Sequence, residues 1–166
     1  MTVLVPTVRL SQPTDREPLI SWFMEGDTLD GFPMQELPEV TDAVKLWMDF
    51  VAYLRCGITA EVNGEPCGMA VLYLQYLQKL RHTCLFGIIV REDMRGRGIG
   101  ALLIQELMEK AKNVFHIEIL CLEVYEGNPA QRLYKKMGFT VFGVQNAFLL
   151  DAQGNYKQKI CMQRPL

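Results

Sequence analysis

The chain has 166 residues, 49% of them apolar and 22% charged, with a net charge of -2. That length fits one domain, residues 1–166, with room for a real core. The near-neutral balance gives no electrostatic ground for DNA, RNA or an anionic membrane as partner.

In chain order, Val8 to Leu10 reads as a short opening strand. Thr14 offers an N-cap, with Asp15 and Glu17 in the first turn, for a helix through Leu19, Ile20, Trp22 and Phe23. Gly26 to Glu39, with its Gly and Pro residues, reads as a loop. Thr41 then caps a second helix, with Val44, Leu46, Trp47, Phe50, Val51 and Leu54 at helical spacing and Gly57 as its stop. Ile58 to Val62 and Cys67 to Leu77 flank Asn63-Gly64, a strong hairpin signal. Thr83 to Val90 is nearly all apolar, as expected of a strand buried on both faces. A helix over about Gly98 to Lys112, a strand over His116 to Val124 and a short helix over Pro129 to Met137 follow, the last stopped by Gly138. Phe139 to Leu150 and Tyr156 to Met162 form a closing hairpin. The expected architecture is α/β in the α+β sense: a mixed, mostly antiparallel sheet with helices on both faces, in which only the central strand–helix–strand crossover is parallel.

Cys56, Cys67, Cys84, Cys121 and Cys161 show no C-x-x-C pair and no metal-ligand spacing. This argues against a disulfide framework, gives no reason to expect a metal, and favours a reducing compartment. Met1 to Leu10 has no basic stretch followed by an apolar block, and no apolar run approaches the ~18 residues that cross a bilayer. A soluble cytoplasmic protein is the expectation.

The densest chemical signal is Arg95-Gly96-Arg97-Gly98-Ile99-Gly100-Ala101, between an apolar strand and a helix. Its glycines let backbone approach a ligand closely, and the N–H groups of the new helix face the same point. With Arg95 and Arg97 alongside, this reads as a phosphate or pyrophosphate site. Gly96-x-Gly98-x-x-Ala101 also fits a dinucleotide fingerprint, with Glu123 further on. Against that, Arg91 to Arg95 intervene after the strand, and the remaining chain is too short for a second mononucleotide half.

These residues resemble the GNAT superfamily of N-acetyltransferases, whose Gln/Arg-x-x-Gly-x-Gly/Ala signature is matched at each fixed position by Arg95 to Gly100. The resemblance resumes at Asn128-Pro129-Ala130-Gln131-Arg132-Leu133-Tyr134, running to Gly138-Phe139, and covers about residues 83–142. It implies a GNAT-like sheet of about seven strands with about four helices, and acetyl-CoA as cosubstrate. It also implies that Ile88, Ile89 and Val90 pair with the pantetheine arm beside a splay in the sheet. The amides of Gly96, Arg97, Gly98, Gly100 and Ala101 would hold the pyrophosphate, framed by the Arg95 and Arg97 side chains. Asn128 would bond near the pantetheine or cap the next helix, although only Pro129 separates it from Ala130, fewer residues than the family usually has.

Tyr134 is expected to protonate the departing CoA thiolate. For the base, many relatives place a carboxylate on the fourth strand, where this chain has Cys84; Glu123 is the best candidate here, with His82 and His116 behind it. A solvent-facing Glu123 and deprotonation through water remain open. From Glu17 to Val44 there is no Lys or Arg, and Glu17, Glu25, Asp27, Asp30, Glu36, Glu39 and Asp42 fall there. An acidic wall would favour a cationic amine as acceptor, although a solvated loop explains the same charges. Phe32, Met34 and Leu37 could line an apolar part of the pocket. A non-catalytic acyl-CoA-binding module and a dinucleotide-binding domain stay open as other classes. The chain is expected as a monomer or a homodimer, with Phe148 to Leu150 as a possible dimer edge.

Overall fold

A computed structural model describes residues 5–166. The reading of the chain's start as signal-free therefore falls partly outside the described residues. The elements run β1 (Thr7–Leu10), α1 (Arg16–Phe23), α2 (Leu37–Leu54), β2 (Gly57–Val62), β3 (Glu65–Tyr73), β4 (Thr83–Val90), α3 (Ile99–Asn113), β5 (Ile119–Tyr125), α4 (Ala130–Lys136), β6 (Thr140–Leu150) and β7 (Tyr156–Pro165). They form a seven-stranded sheet in the order β1-β2-β3-β4-β5-β7-β6. Only β4 and β5 are parallel; the other neighbours are antiparallel. The α/β class, the strand count and the single parallel crossover match the sequence expectation.

Alternation along the strands divides the core between two faces. On one, α3 inserts Ile99 and Leu103 against Gly68 of β3, and Tyr134 of α4 meets Phe86 of β4. On the other, Trp47 of α2 lies against Gly87 of β4. Side chains such as Leu19, Phe23, Met69, Leu103 and Leu122 are almost wholly withdrawn from water, each stabilising the fold by about 1.5–3 kcal/mol.

Several local expectations change. Asp15, not Thr14, is the residue before α1, and its carboxylate is buried. It accepts from Arg9 Nη1 and Nη2 at 2.9 and 2.8 Å, from Thr59 Oγ1 at 2.8 Å and from the Gln12 amide at 2.8 Å. The second helix starts at Leu37 rather than Thr41, because Pro38 suits a first turn, and Thr41 bonds back to the Leu37 carbonyl. Arg55, at φ 51°, ends that helix; Gly57 already belongs to β2. The Asn63-Gly64 turn has φ of 53° and 79°, the paired positive values of a tight hairpin turn. β3 stops at Tyr73 and does not reach Leu77. β5 begins at Ile119, later than His116. β4 matches its expected span, yet Leu85, Gly87 and Ile88 are only half-buried. A cleft, not a second layer of core, covers part of it.

The closing hairpin packs β7, not β6, against β5, leaving β6 as an exposed edge. Its register slips between Gln145 and Leu149, with Ala147 at φ 49°. This bulge carries Phe148 onto Tyr125 of β5, with ring centroids 6.0 Å apart, and under Lys159 Nζ, 4.1 Å from the ring centre.

Candidate active site

The parallel ladder between β4 and β5 ends at Leu85 and Cys121. Beyond it the strands separate, and their unpaired edges open a cavity of about 1010 Å³. Ile88, Ile89, Val90, Arg95, Gly96, Gly98, Gly100, Ala101, Glu123, Asn128 and Tyr134 all line it. The two motifs, far apart in sequence, thus meet around one opening. A second concavity of about 550 Å³ near Met108 and Arg164 contains none of the predicted site residues.

One end of the cavity is the start of α3. Gly96 and Gly98 hold φ of 70° and 82°, and a Cβ on either would meet nothing within 4 Å, so the backbone is open to a ligand. Gly98 precedes the helix with no side-chain cap bond, leaving the first-turn amides of Ile99, Gly100 and Ala101 without carbonyl partners within the helix. Gly100 serves packing as well: a Cβ there would sit 3.1 Å from Leu133 Cδ2, so its absence brings α3 against α4. Arg132 and Lys136 of α4 add positive charge to the lining. Oriented amides and cations together suit a pyrophosphate.

The two arginine side chains are placed differently. The Arg95 side chain turns away from the helix start. Its Nε donates to the Val90 carbonyl at 3.1 Å, its Nη2 to Thr28 Oγ1 at 2.7 Å, and its Nη1 lies 3.7 Å from Asp27. Arg95 therefore fastens the segment between α1 and α2 onto the β4–α3 turn. The Glu92 amide adds a stitch by donating to Glu25 at 3.3 Å. Arg97 is exposed and lines no part of the cavity.

Tyr134 is nearly buried, stacked edge-on against Phe86 at 6.2 Å and against Phe139 at 6.3 Å. Burial pushes its phenol up to about 12, so it keeps its proton at neutral pH. Asn128 spends its Oδ1 on the Ala130 amide at 3.0 Å, capping α4, while its Nδ2 faces Gly31. Of its two expected roles, the capping one is visible.

Glu123 lies on the opposite face of the sheet from Tyr134, on the side of Leu85, Gly87 and Trp47. Its carboxylate is half-exposed and sits 3.1 Å from Lys159 Nζ. Cys84 points to the other face and donates to the Leu85 carbonyl, with burial pushing its thiol up to about 12. His82 and His116 are exposed and outside the cavity. Among the described residues no group of His, Cys, Asp and Glu side chains could hold a metal.

The acidic stretch also separates into parts. Only Asp27 and Asp30 of its members reach the cavity. Glu17 pairs with Arg16, Glu25 holds the Glu92 amide and Glu39 accepts from the Gln35 amide. Leu37 is exposed and outside the cavity, whereas Phe32 and Met34 line it. The sequence reading did not single out Trp47, Tyr73, Leu85, Gly87 or Lys157 as site residues, and each of them lines the cavity. Alternation on β4 was the available signal for Gly87, since it puts that residue on the face that α2 covers.

The family model described as the acetyltransferase (GNAT) family matches residues 18–139. The chain belongs to the GNAT family. Among curated relatives, the L-amino acid N-acetyltransferase AaaT of Escherichia coli (strain K12) is 29% identical over 108 residues, 64% of this chain and 66% of that protein. The N-alpha-acetyltransferase of Sulfurisphaera tokodaii is 34% identical over 108 residues, 58% of this chain and 64% of that protein. The matched stretch thus spans less than two thirds of either relative. The GNAT fold is shared throughout with yncA from Salmonella typhimurium, solved with its cofactor acetyl-CoA, at a TM-score of 0.83, 19% identity and coverage of 97% and 94% of the two chains. The ribosomal-protein-alanine N-acetyltransferase of Brucella melitensis aligns at a TM-score of 0.80 and 21% identity, covering 96% and 99%. The single parallel strand pair also removes the dinucleotide reading, which needs a doubly wound parallel sheet.

Proposed function

We propose that this protein is an N-acetyltransferase that moves the acetyl group of acetyl-CoA to a primary amine by direct attack. The observation that carries this is the β4–β5 splay, with open helix-start amides at one end and a protonated, nearly buried tyrosine beside it. The residues fit the cosubstrate: the Gly96 to Ala101 backbone takes the pyrophosphate, and the free edge of Ile88 to Val90 pairs with the pantetheine amides. Bound there, acetyl-CoA supplies an acyl carbon activated as a thioester.

The amine nitrogen bonds to that carbon, the carbon–sulfur bond breaks, and Tyr134 gives its proton to the departing sulfur. Glu123, on the opposite face, holds the incoming ammonium. A carboxylate is too weak a base to take the proton outright from an alkylammonium ion. The attacking species is therefore the fraction of amine already unprotonated in solution, and the proton the nitrogen sheds after attack passes through water to bulk solvent. The whole chain acts as one domain whose cofactor-binding core is residues 83–142. A cytoplasmic location accords with free thiols at all five cysteines and with the absence, among described residues, of any helix long and apolar enough to cross a membrane.

The test is thiol release from acetyl-CoA against a panel of amines, with Tyr134→Phe alongside. Loss of the hydroxyl with the ring retained should lower kcat about 10²–10⁴-fold while leaving the melting temperature and CoA affinity nearly unchanged. CoA binding without turnover of any amine would replace the enzyme with an acyl-CoA-binding module. An unaltered kcat in the variant would remove Tyr134 from the mechanism.

A further inference from the structure

On the α2 side of the sheet the cavity continues into a chamber that the cosubstrate does not need. Its wall is Trp47 and Tyr73, joined by Phe32, Met34, Leu46 and Leu85. Gly87 sets its depth. A Cβ there would lie 2.5 Å from Trp47 Cζ2 and 2.9 Å from the Tyr73 hydroxyl, so the two rings rest directly on the β4 backbone. This backbone borders the splay where the thioester is expected.

Resting on the acetyl-transfer reading, we propose that this chamber is the acceptor's side-chain pocket. The acceptor is then a primary amine with an apolar side chain on the adjacent carbon, as in leucine, methionine or phenylalanine, free or at a peptide N-terminus. Three observations select this chemistry over the cationic acceptor suggested by the acidic stretch. First, the residues that rest on or flank Gly87, namely Trp47, Tyr73 and Leu85, and the neighbouring Phe32, Met34 and Leu46 are aliphatic or aromatic apart from the Tyr73 hydroxyl, while the charged lining residues Asp27, Asp30, Glu123, Glu126 and Lys157 carry both signs. Second, the rings do not form a cage of converging faces for a cation. Trp47 meets Phe23 and Tyr73 at 72° and 67°, and Phe23 meets Phe32 at 86°, so the rings are spent on one another edge to face. Third, the acids of the lining are partly offset: Asp27 lies 3.7 Å from Arg95, Glu123 lies 3.1 Å from Lys159 and takes the reacting ammonium, and Asp30 and Glu126 are solvent-exposed. An ammonium-bearing side chain among these rings would lose water while the lining acids stay offset or solvated, whereas a leucine-sized one sheds apolar surface.

The experiment is steady-state acetyl transfer by the full chain at saturating acetyl-CoA. The acceptors are L-leucine, L-methionine, glycine, L-lysine and spermidine, and tetrapeptides that differ only in their first residue. Calorimetric titration of the preferred acceptor into the protein–CoA complex supplies a readout independent of turnover. We expect kcat/KM for leucine or methionine to exceed glycine and lysine at least tenfold, in whichever arm is active; the active arm separates free amino acids from peptides. Gly87→Ala should abolish that preference by pushing the rings apart. Met34→Asp, on a loop and safer for folding, should cut leucine binding in the calorimetric titration at least fivefold and lower kcat/KM for leucine by more than it lowers kcat/KM for glycine. Lysine or spermidine in first place, with acetyl transfer intact, overturns the pocket alone. Equal loss for glycine and leucine in Met34→Asp overturns it too. No turnover of any amine overturns the acetyl-transfer reading and the pocket with it.

Discussion

Arg95 lies within the glycine motif, yet its side chain fastens the segment between α1 and α2, the wall of the proposed acceptor pocket. Replacing it with alanine should therefore affect the second substrate more than the first. The guanidinium makes a 2.7 Å bond to Thr28, a 3.1 Å bond to the Val90 carbonyl and a 3.7 Å approach to Asp27. Charged hydrogen bonds contribute about 1.5–3 kcal/mol when buried, but this side chain is 40% exposed, so about 1 kcal/mol each is the fitting scale. The Asp27 pair, longer and more exposed, adds little. The Thr28 bond is the link that reaches the wall, and Thr28 is itself buried. Losing it also strands a hydroxyl, so the segment Asp27–Gly31 is released at a cost of about 1.5–2 kcal/mol. If that ordering must be restored on binding, the acceptor KM rises about 10–30-fold, with the acetyl-CoA KM changed less than threefold. Thiol release with each substrate varied in turn measures both, and a thermal melt monitors global folding. Thr28→Val should reproduce part of the effect, and the double variant should fall short of the sum because the two residues share one bond. A rise confined to the acetyl-CoA KM would refute the argument and return Arg95 to the pyrophosphate.

Three further perturbations address other parts of the molecule. Burial pushes the Asp15 carboxyl up, but bonds from Arg9, the Gln12 amide and Thr59 outweigh it and hold it below the usual carboxylate range. Its stabilisation is therefore complete above the unfolded value near ~3.9 and is lost as pH falls below that. Asp15→Asn should cost about 2–3 kcal/mol in urea unfolding at pH 7, less than a fully stranded buried charge because Arg9 keeps Glu61 at 2.6 Å, and should flatten the acid limb of stability. Gly100→Val should both destabilise the fold by about 1–3 kcal/mol and weaken CoA binding, since even a Cβ there crowds Leu133 at 3.1 Å; differential scanning and calorimetric titration read the two effects. With the Tyr134 phenol pushed up to about 12, the pH profile of kcat should show no alkaline fall from this residue below about pH 10; a fall centred near 8 that vanishes in Tyr134→Phe would contradict the assignment.

The fold was legible where a residue's role depends on its neighbours in sequence. Asn63-Gly64 specifies its turn, the β4 run its strand, and the glycines after it a helix start open to ligand, each within a few residues. What local pattern did not reveal were partnerships across the sheet. Asp15 looked like an ordinary first-turn acid, yet Arg9, Thr59 and the Gln12 amide converge on it, and two of those partners are set by β1–β2 pairing. Arg95 looked like a free phosphate ligand because its charge sits beside glycines, but backbone supplies the helix-start donors and its long side chain reaches back to Thr28. The acidic stretch divides in the same way: a count of charges does not separate Glu25 and Glu39, spent on backbone amides, from Asp27 and Asp30, which line the cavity. Gly87 makes the reverse point. Within an apolar strand it reads as a gap, and only α2 crossing the sheet turns that gap into the floor of a chamber. On the proposed reading, the cofactor half of the site is written in contiguous motifs because backbone would do the binding there, while the acceptor half is assembled from single side chains on β3, β4, β5, α2 and the segment before it. Specificity would then change through one residue at a time without disturbing the motif that makes the family recognisable.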